Sequence, residues 1–206
     1  MNVVSRFLFR RPSLLNAFHW LRLIDPTSQT ISSELQTLSK YARGRERALE
    51  IGSYQGVSAA FIAGALRAEG RVYCVDPWLD TPRGSRNPCY LIFERHLHRL
   101  GLWDKIAVLR GYSSEIVDQI PNDLDFIFVD GDHSWAGLAA DWQIVKSRLG
   151  TGGVVCLHDT LIPTSEPWRT LESVRFFDEV ITKDPDFRVV EQVHSMTVLA
   201  RSAPAN

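Results

Sequence analysis

The stretch from Ala48 to Ser58, ALEIGSYQGVS, constrains this chain more than any other. An apolar run closes on Glu50 and Ile51, glycines follow at Gly52 and Gly56, and the small-residue pattern SAAFIAGAL starts immediately after. That order predicts a buried strand, a tight turn and the start of a helix. Glycines in such a turn let the backbone approach a ligand closely, and the first helical N–H groups add donors at the same rim. The spacing is G-x-x-x-G, whereas a dinucleotide-binding turn reads G-x-G-x-x-G.

From Arg47 onward, strand-like and helix-like segments alternate, which predicts an α/β fold with a mostly parallel sheet and helices on both faces. Strands are expected near 47–51, 71–76, 105–110, 124–130 and 153–158. Helices are expected at 57–68, stopping at Gly70, at 89–100, at 113–120 before Pro121, at 135–149 with Gly150 as its cap, and at 167–182. Leu138, Trp142, Val145 and Leu149 form one stripe, which reads as core. Two strand-like runs, FRVVEQV and SMTVLAR, end the chain with almost no connection, so they must pair antiparallel. The expected sheet is Rossmann-like and seven-stranded: five parallel strands finished by a C-terminal hairpin.

A length of 206 residues, 45% hydrophobic and 23% charged, suits one such domain with a large core, spanning 45–201. The formal net charge of -1 gives no electrostatic reason to expect nucleic acid, so a small ligand is the expected partner. Cys74, Cys89 and Cys156 cannot all pair within one chain, and two fall in expected strands; a reducing cytoplasm fits.

Residues 1–44 read as an N-terminal helical extension. Arg6, Arg10, Arg11 and Arg22 precede the first acid, Asp25, and Pro12 and the arginines break every apolar run, so no transmembrane segment is expected there. Packing on the domain, or on a second copy as a homo-oligomer, is preferred over membrane-surface contact. Ile31, Leu35 and Leu38 then give one helical face over 27–43, ending at Gly44. This helix is either a lid or an ordinary outer-layer helix. The tail, 202–206, is expected to fray.

In an open parallel sheet, ligands bind beyond the carboxyl ends of the strands. The residues there are Glu50, Asp76, Gly111 with Ser113, Asp130 with its followers, and His158 with Asp159. Ser113 can also cap a following helix. If the fourth and fifth strands are neighbours, their ends lie ~5 Å apart, and Asp130 and Asp159 can reach one ion. Oxygen ligands suit Mg2+, but an imidazole from His158 is a better partner for Mn2+, Fe2+ or Zn2+.

Glu50, Gly52, Ser53, Gly56 and Ser58 together resemble motif I of class I S-adenosylmethionine-dependent methyltransferases. With LDFIFVDGDHSW and GGVVCLHDT downstream, the chain looks most like the metal-dependent O-methyltransferases of the macrocin and catechol types, over about residues 45–200. The resemblance implies a cofactor ribose on Asp76, adenine near Gly111 and Ser113, and a divalent metal, Mg2+ first and Mn2+ second, on Asp130, His158 and Asp159. It also implies cofactor contact at Asp130 and a general base at His133. His158 departs from the acidic or amide oxygen usual in that family. Trp78 can stack on adenine, wall the substrate pocket or simply pack. Asp132 and Asp141 read as a helix-start acid and a solvated-face acid, with Asp132 within ligand reach of the metal. Arg83 and Arg86 lie in a loop that can meet an anionic substrate.

The expected activity is therefore methyl transfer from S-adenosylmethionine to a hydroxyl of a small molecule, a sugar or secondary metabolite first. Two rivals are a nicotinamide-dependent oxidoreductase and a non-catalytic cofactor-binding protein of the same fold.

Overall fold

The computed structural model describes residues 12–80, 82, 84–166 and 171–202. Helix α1 is Pro12–Trp20 and α2 is Ser32–Ala42. There follow β1 Arg47–Ile51, α3 Val57–Ala65, β2 Arg71–Asp76, α4 Pro88–Arg99 and β3 Ile106–Arg110. After these come β4 Leu124–Val129, α5 Trp135–Arg148, β5 Leu149–Leu157, α6 Glu172–Glu179, β6 Phe187–Val193 and β7 Met196–Arg201. The sheet has seven strands in the order β3-β2-β1-β4-β5-β7-β6. β1 to β5 pair in parallel, and β7 runs antiparallel to both β5 and β6.

The period of two along each strand sorts the core into two layers. Ala48, Phe126, Phe128, Val154 and Cys156 face α2, α3 and α4, where Leu38, Ile62 and Phe93 are buried. Their neighbours Leu49, Ile51, Ile127, Val129, Val155 and Leu157 face α5 and α6, against Trp142, Val145 and Phe177. Strands covered on both faces explain the near-continuous apolar runs in the sequence.

Several expected boundaries move. The helix expected at 113–120 is one 3-10 turn at Val117–Gln119, because the Ser113 hydroxyl is turned to Asp141 instead of capping and Pro121 closes the segment. Gly150 caps nothing: α5 runs directly into β5, where Leu149 pairs with Leu124 and its N–H donates to Val145. Gly44, by contrast, takes the left-handed conformation (φ +75°) that ends α2. The last expected helix is shorter, Glu172–Glu179, and 167–170, 1–11, 203–206 and Arg83 lie outside the described residues.

The helix before β1 is an integral part of the core. Leu35, Leu38 and Ala42 of α2 are buried with the sheet residues, and the equally buried Glu34 points inward beside them. α1 lies on α4, where Arg95 donates to Asn16 (3.1 Å) and Arg99 to the His19 carbonyl (3.1 Å). No helix among the described residues is long and apolar enough to cross a membrane.

Candidate active site

The carboxyl ends of β1, β2, β3 and β4 open onto one cleft of about 530 Å³, a volume typical of small-molecule sites. Gly52, Ser53, Gly56, Ser58, Asp76, Gly111, Ser113, Asp130 and His133 all line it. Glu50, Trp78, His158 and Asp159 do not. Thr27, Ser28 and Gln29, just before α2, close one side, fixed by the Thr27 N–H donating to Gln55 (2.8 Å).

The turn after β1 is glycine-rich for a reason internal to the protein. A Cβ at Gly52 would lie 2.0 Å from the Asp130 carbonyl oxygen, and one at Gly56 would lie 2.8 Å from the Phe93 ring. Both glycines have φ far into the positive range, +93° and +81°. The close approach expected toward a ligand is thus first an approach of β1 to β4 and of α3 to α4. Likewise, a Cβ at Gly111 would meet Ile116 at 2.7 Å.

Asp76 ends β2 with each oxygen already accepting a backbone N–H, Oδ2 from Tyr54 (2.9 Å) and Oδ1 from Trp78 (2.9 Å). A carboxylate has about four acceptor positions, so both oxygens keep capacity for two vicinal hydroxyls. Burial raises its pKa and the two N–H donors oppose that shift. Trp78 itself is a core side chain, 2% exposed, with its ring edge-on to Tyr90 at 5.2 Å and its Nε1 donating to the Tyr54 carbonyl. Packing therefore accounts for Trp78, and its face is not offered to a ligand.

Asp141 is the main correction on the cleft wall. It is 3% exposed rather than solvated, and the Ser113 hydroxyl donates to its Oδ1 at 2.5 Å. Burial pushes its pKa up to about 6, against the Ser113 hydrogen bond. It is buried on α5 together with Leu138, Trp142 and Val145. Glu50 is wholly buried below the rim; burial raises it to about 7, offset in part by the hydroxyls of Ser53 and Ser58. Asp132 is a helix-start acid, accepting from the Ser134 N–H and hydroxyl.

At the β4–β5 end, Asp130, His133 and His158 bring one ligand atom each to within 4.8 Å of one another. His158 Nδ1 lies 3.0 Å from Asp130 Oδ1, and His133 Nε2 lies 3.6 Å from Asp159 Oδ2. Asp159, expected as a ligand, is outside that set of three; it is 1% exposed, with φ +52°. The sequence reading missed Glu34, whose Oε2 lies 3.3 Å from His158 Nε2. Burial opposes charge on both, yet the contact holds the Glu34 pKa low, and Asp130 with Glu34 holds that of His158 high. Tyr54, Trp78 and Asp159, which follow β1, β2 and β5, are non-glycine residues at positive φ, and strained backbone of this kind tends to collect near functional sites.

The methyltransferase-domain family model matches residues 49–160, which run from the glycine turn through His158 and Asp159. The chain belongs to this methyltransferase family, the class of S-adenosylmethionine-dependent enzymes whose motif I its own turn resembles. No curated protein matches it in sequence. Among solved structures it is similar to an O-methyltransferase from Bacillus cereus in complex with SAH, at 19% identity and TM-score 0.66, covering 94% of this chain and 90% of that one. It is also similar to the Podospora anserina methyltransferase PaMTH1, SAH-bound, at 20% identity and TM-score 0.67 over 97% and 94% of the two chains. The O-methyltransferase TomG from Streptomyces achromogenes, involved in tomaymycin synthesis and solved with SAM, gives 17% identity and TM-score 0.65 over 94% and 90%.

Proposed function

We propose that the protein transfers a methyl group from S-adenosylmethionine to a hydroxyl of a small molecule, a sugar or secondary metabolite, with a divalent metal assisting and His133 taking the proton. The observation that carries this reading is that Gly52, Asp76, Asp130 and His133 line one cleft. Structurally similar enzymes solved with SAM or SAH favour the same cofactor.

In this reading Asp76 accepts from the ribose hydroxyls, and Ser113 with Gly111 and Asp141 bounds the adenine end. Ser53, Gly56 and Ser58 form the wall at the start of α3. A hydroxyl is a poor nucleophile while protonated, so the acceptor must give up its proton as its oxygen attacks the sulfonium methyl. His133 is a third exposed and opens to the cleft, where a neutral imidazole can take that proton. The residues present fit a metal: His158 Nδ1 is buried without a hydrogen-bond partner and faces the Asp130 carboxylate. A divalent cation held by Asp130 and His158, with Asp159 adjoining, would supply acidity to the acceptor hydroxyl. Beyond this, the chain aligns the reactants in the cleft.

Free cysteines at Cys74, Cys89 and Cys156 favour a cytoplasmic setting, and exposed Trp20, Leu21 and Leu23 favour self-association through the N-terminal helices. The net charge of -1 supports a small-molecule acceptor over nucleic acid. The test is a panel of hydroxylated sugars and phenols with isotopically labelled S-adenosylmethionine. Label transferred to an oxygen of one acceptor class is the expected result; label appearing only on nitrogen or carbon would overturn the O-transfer assignment.

A further inference from the structure

Beneath the cleft, one buried polar constellation holds His158 from behind. Glu34 of α2 is fully buried yet keeps five polar neighbours, one of them His194 Nδ1 at 3.5 Å from Oε1. Its Oε1 accepts from the Ser195 N–H (3.0 Å) and hydroxyl (2.8 Å), and its Oε2 accepts from the Ile31 N–H (3.0 Å) and contacts His158 Nε2 at 3.3 Å. Ser195 gives its proton to Glu34 and is 1% exposed, so this is no serine nucleophile with a histidine base.

A carboxylate can only accept, so Nε2, facing Glu34, carries a proton and donates, and Nδ1, facing Asp130, does the same until a cation takes the place of its proton. The ring is thereby set with Nδ1 toward Asp130, 3.0 Å from Oδ1. That Nδ1 is buried, in a residue 6% exposed, with the Asp130 carboxylate as its neighbour. Carboxylate behind, imidazole between and a second ring nitrogen turned to the Asp130 carboxylate in front is the arrangement that outer-shell acids impose on metal-binding histidines. It also bears on the ion: Mg2+ takes oxygen and keeps its waters, whereas imidazole suits first-row transition ions.

We propose that Glu34 is a positioning residue that turns His158 Nδ1 toward Asp130, so that this centre takes a transition-metal dication of the Mn2+, Fe2+ or Co2+ class in preference to Mg2+. The inference rests on the metal-assisted reading above and sharpens it, leaving His133 for the acceptor's proton.

The test uses the full-length, chelator-stripped protein, titrated with MnCl2 and with MgCl2 in the presence of S-adenosylhomocysteine, followed by pulsed EPR of bound Mn2+. The wild-type protein is expected to bind Mn2+ at least about tenfold tighter than Mg2+ and to show nitrogen coupling from one directly bound imidazole. Glu34→Gln is expected to lose about 10- to 100-fold in Mn2+ affinity with S-adenosylhomocysteine affinity retained. His158→Asp is expected to abolish the nitrogen coupling. Equal affinities for the two ions, absent coupling in the wild type, or coupling that persists in His158→Asp would overturn the proposal, and the wild-type spectrum decides even if Glu34→Gln fails to fold. Failure of the wild type to bind S-adenosylhomocysteine would instead strike the methyl-transfer reading beneath it.

Discussion

Gly52 and Asp130 meet backbone to backbone: a single Cβ added to Gly52 would lie 2.0 Å from the Asp130 carbonyl oxygen, at a φ of +93°. The contact ties the end of β1 to the end of β4, where the Asp130 N–H also donates to the Ile51 carbonyl at 2.8 Å. The turn that shapes the cleft and the acid on its far wall are therefore one structural unit.

Gly52→Ala is expected to destabilise the protein by roughly 3 kcal/mol or more, since it combines a left-handed backbone with a clash against backbone that cannot step aside. Urea unfolding checks this. A loss under about 1 kcal/mol would mean that the two strand ends can separate, against the packing described.

Much of this was legible before any coordinates, and the parts that were not share one cause. Alternating apolar runs, Gly52 and the nearly unconnected pair FRVVEQV and SMTVLAR read directly as parallel strands, a turn and a hairpin, because each depends on neighbours in sequence. Glu34 and Asp141 were beyond that reach: Glu34 meets a histidine 124 positions away, and Asp141 meets Ser113 from 28 positions away. Both carry charged side chains on helix faces, and only the tertiary placement of α2 and α5 turns those faces inward. Trp78 shows the opposite limit, an aromatic at the rim in sequence that is core in space.

Asp141 makes stability depend on pH. Its folded pKa, about 6 against an ordinary 3.8, is raised, so its favourable contribution is complete below pH 3.8 and is lost as pH rises through 6. Asp141→Asn keeps an acceptor for Ser113 without the titration. Its stability relative to wild type is expected to improve by on the order of 2–3 kcal/mol between pH 4 and pH 7. Chemical denaturation at the two pH values measures this, and a constant difference would contradict it.

Asp76→Asn keeps one acceptor oxygen for the local N–H donors but replaces the other with a donor. Cofactor affinity is expected to fall at least about tenfold, with the melting temperature lowered by only a few degrees. Calorimetric titration of the variant with S-adenosylhomocysteine checks it; wild-type affinity would remove Asp76 from the ribose site.

His133→Gln is expected to lower the transfer rate about 10²- to 10⁴-fold on the acceptor found by the labelled panel. S-adenosylhomocysteine affinity should stay within about twofold of wild type, because the imidazole acts on the acceptor alone. An unchanged rate would show that another group takes the proton.

Titration of the wild-type chain with S-adenosylmethionine, and separately with NAD, bears most directly on what the cleft is for. Saturable one-site binding of S-adenosylmethionine with no heat from NAD is the predicted result. Tight NAD binding beside silence from S-adenosylmethionine would contradict the whole account.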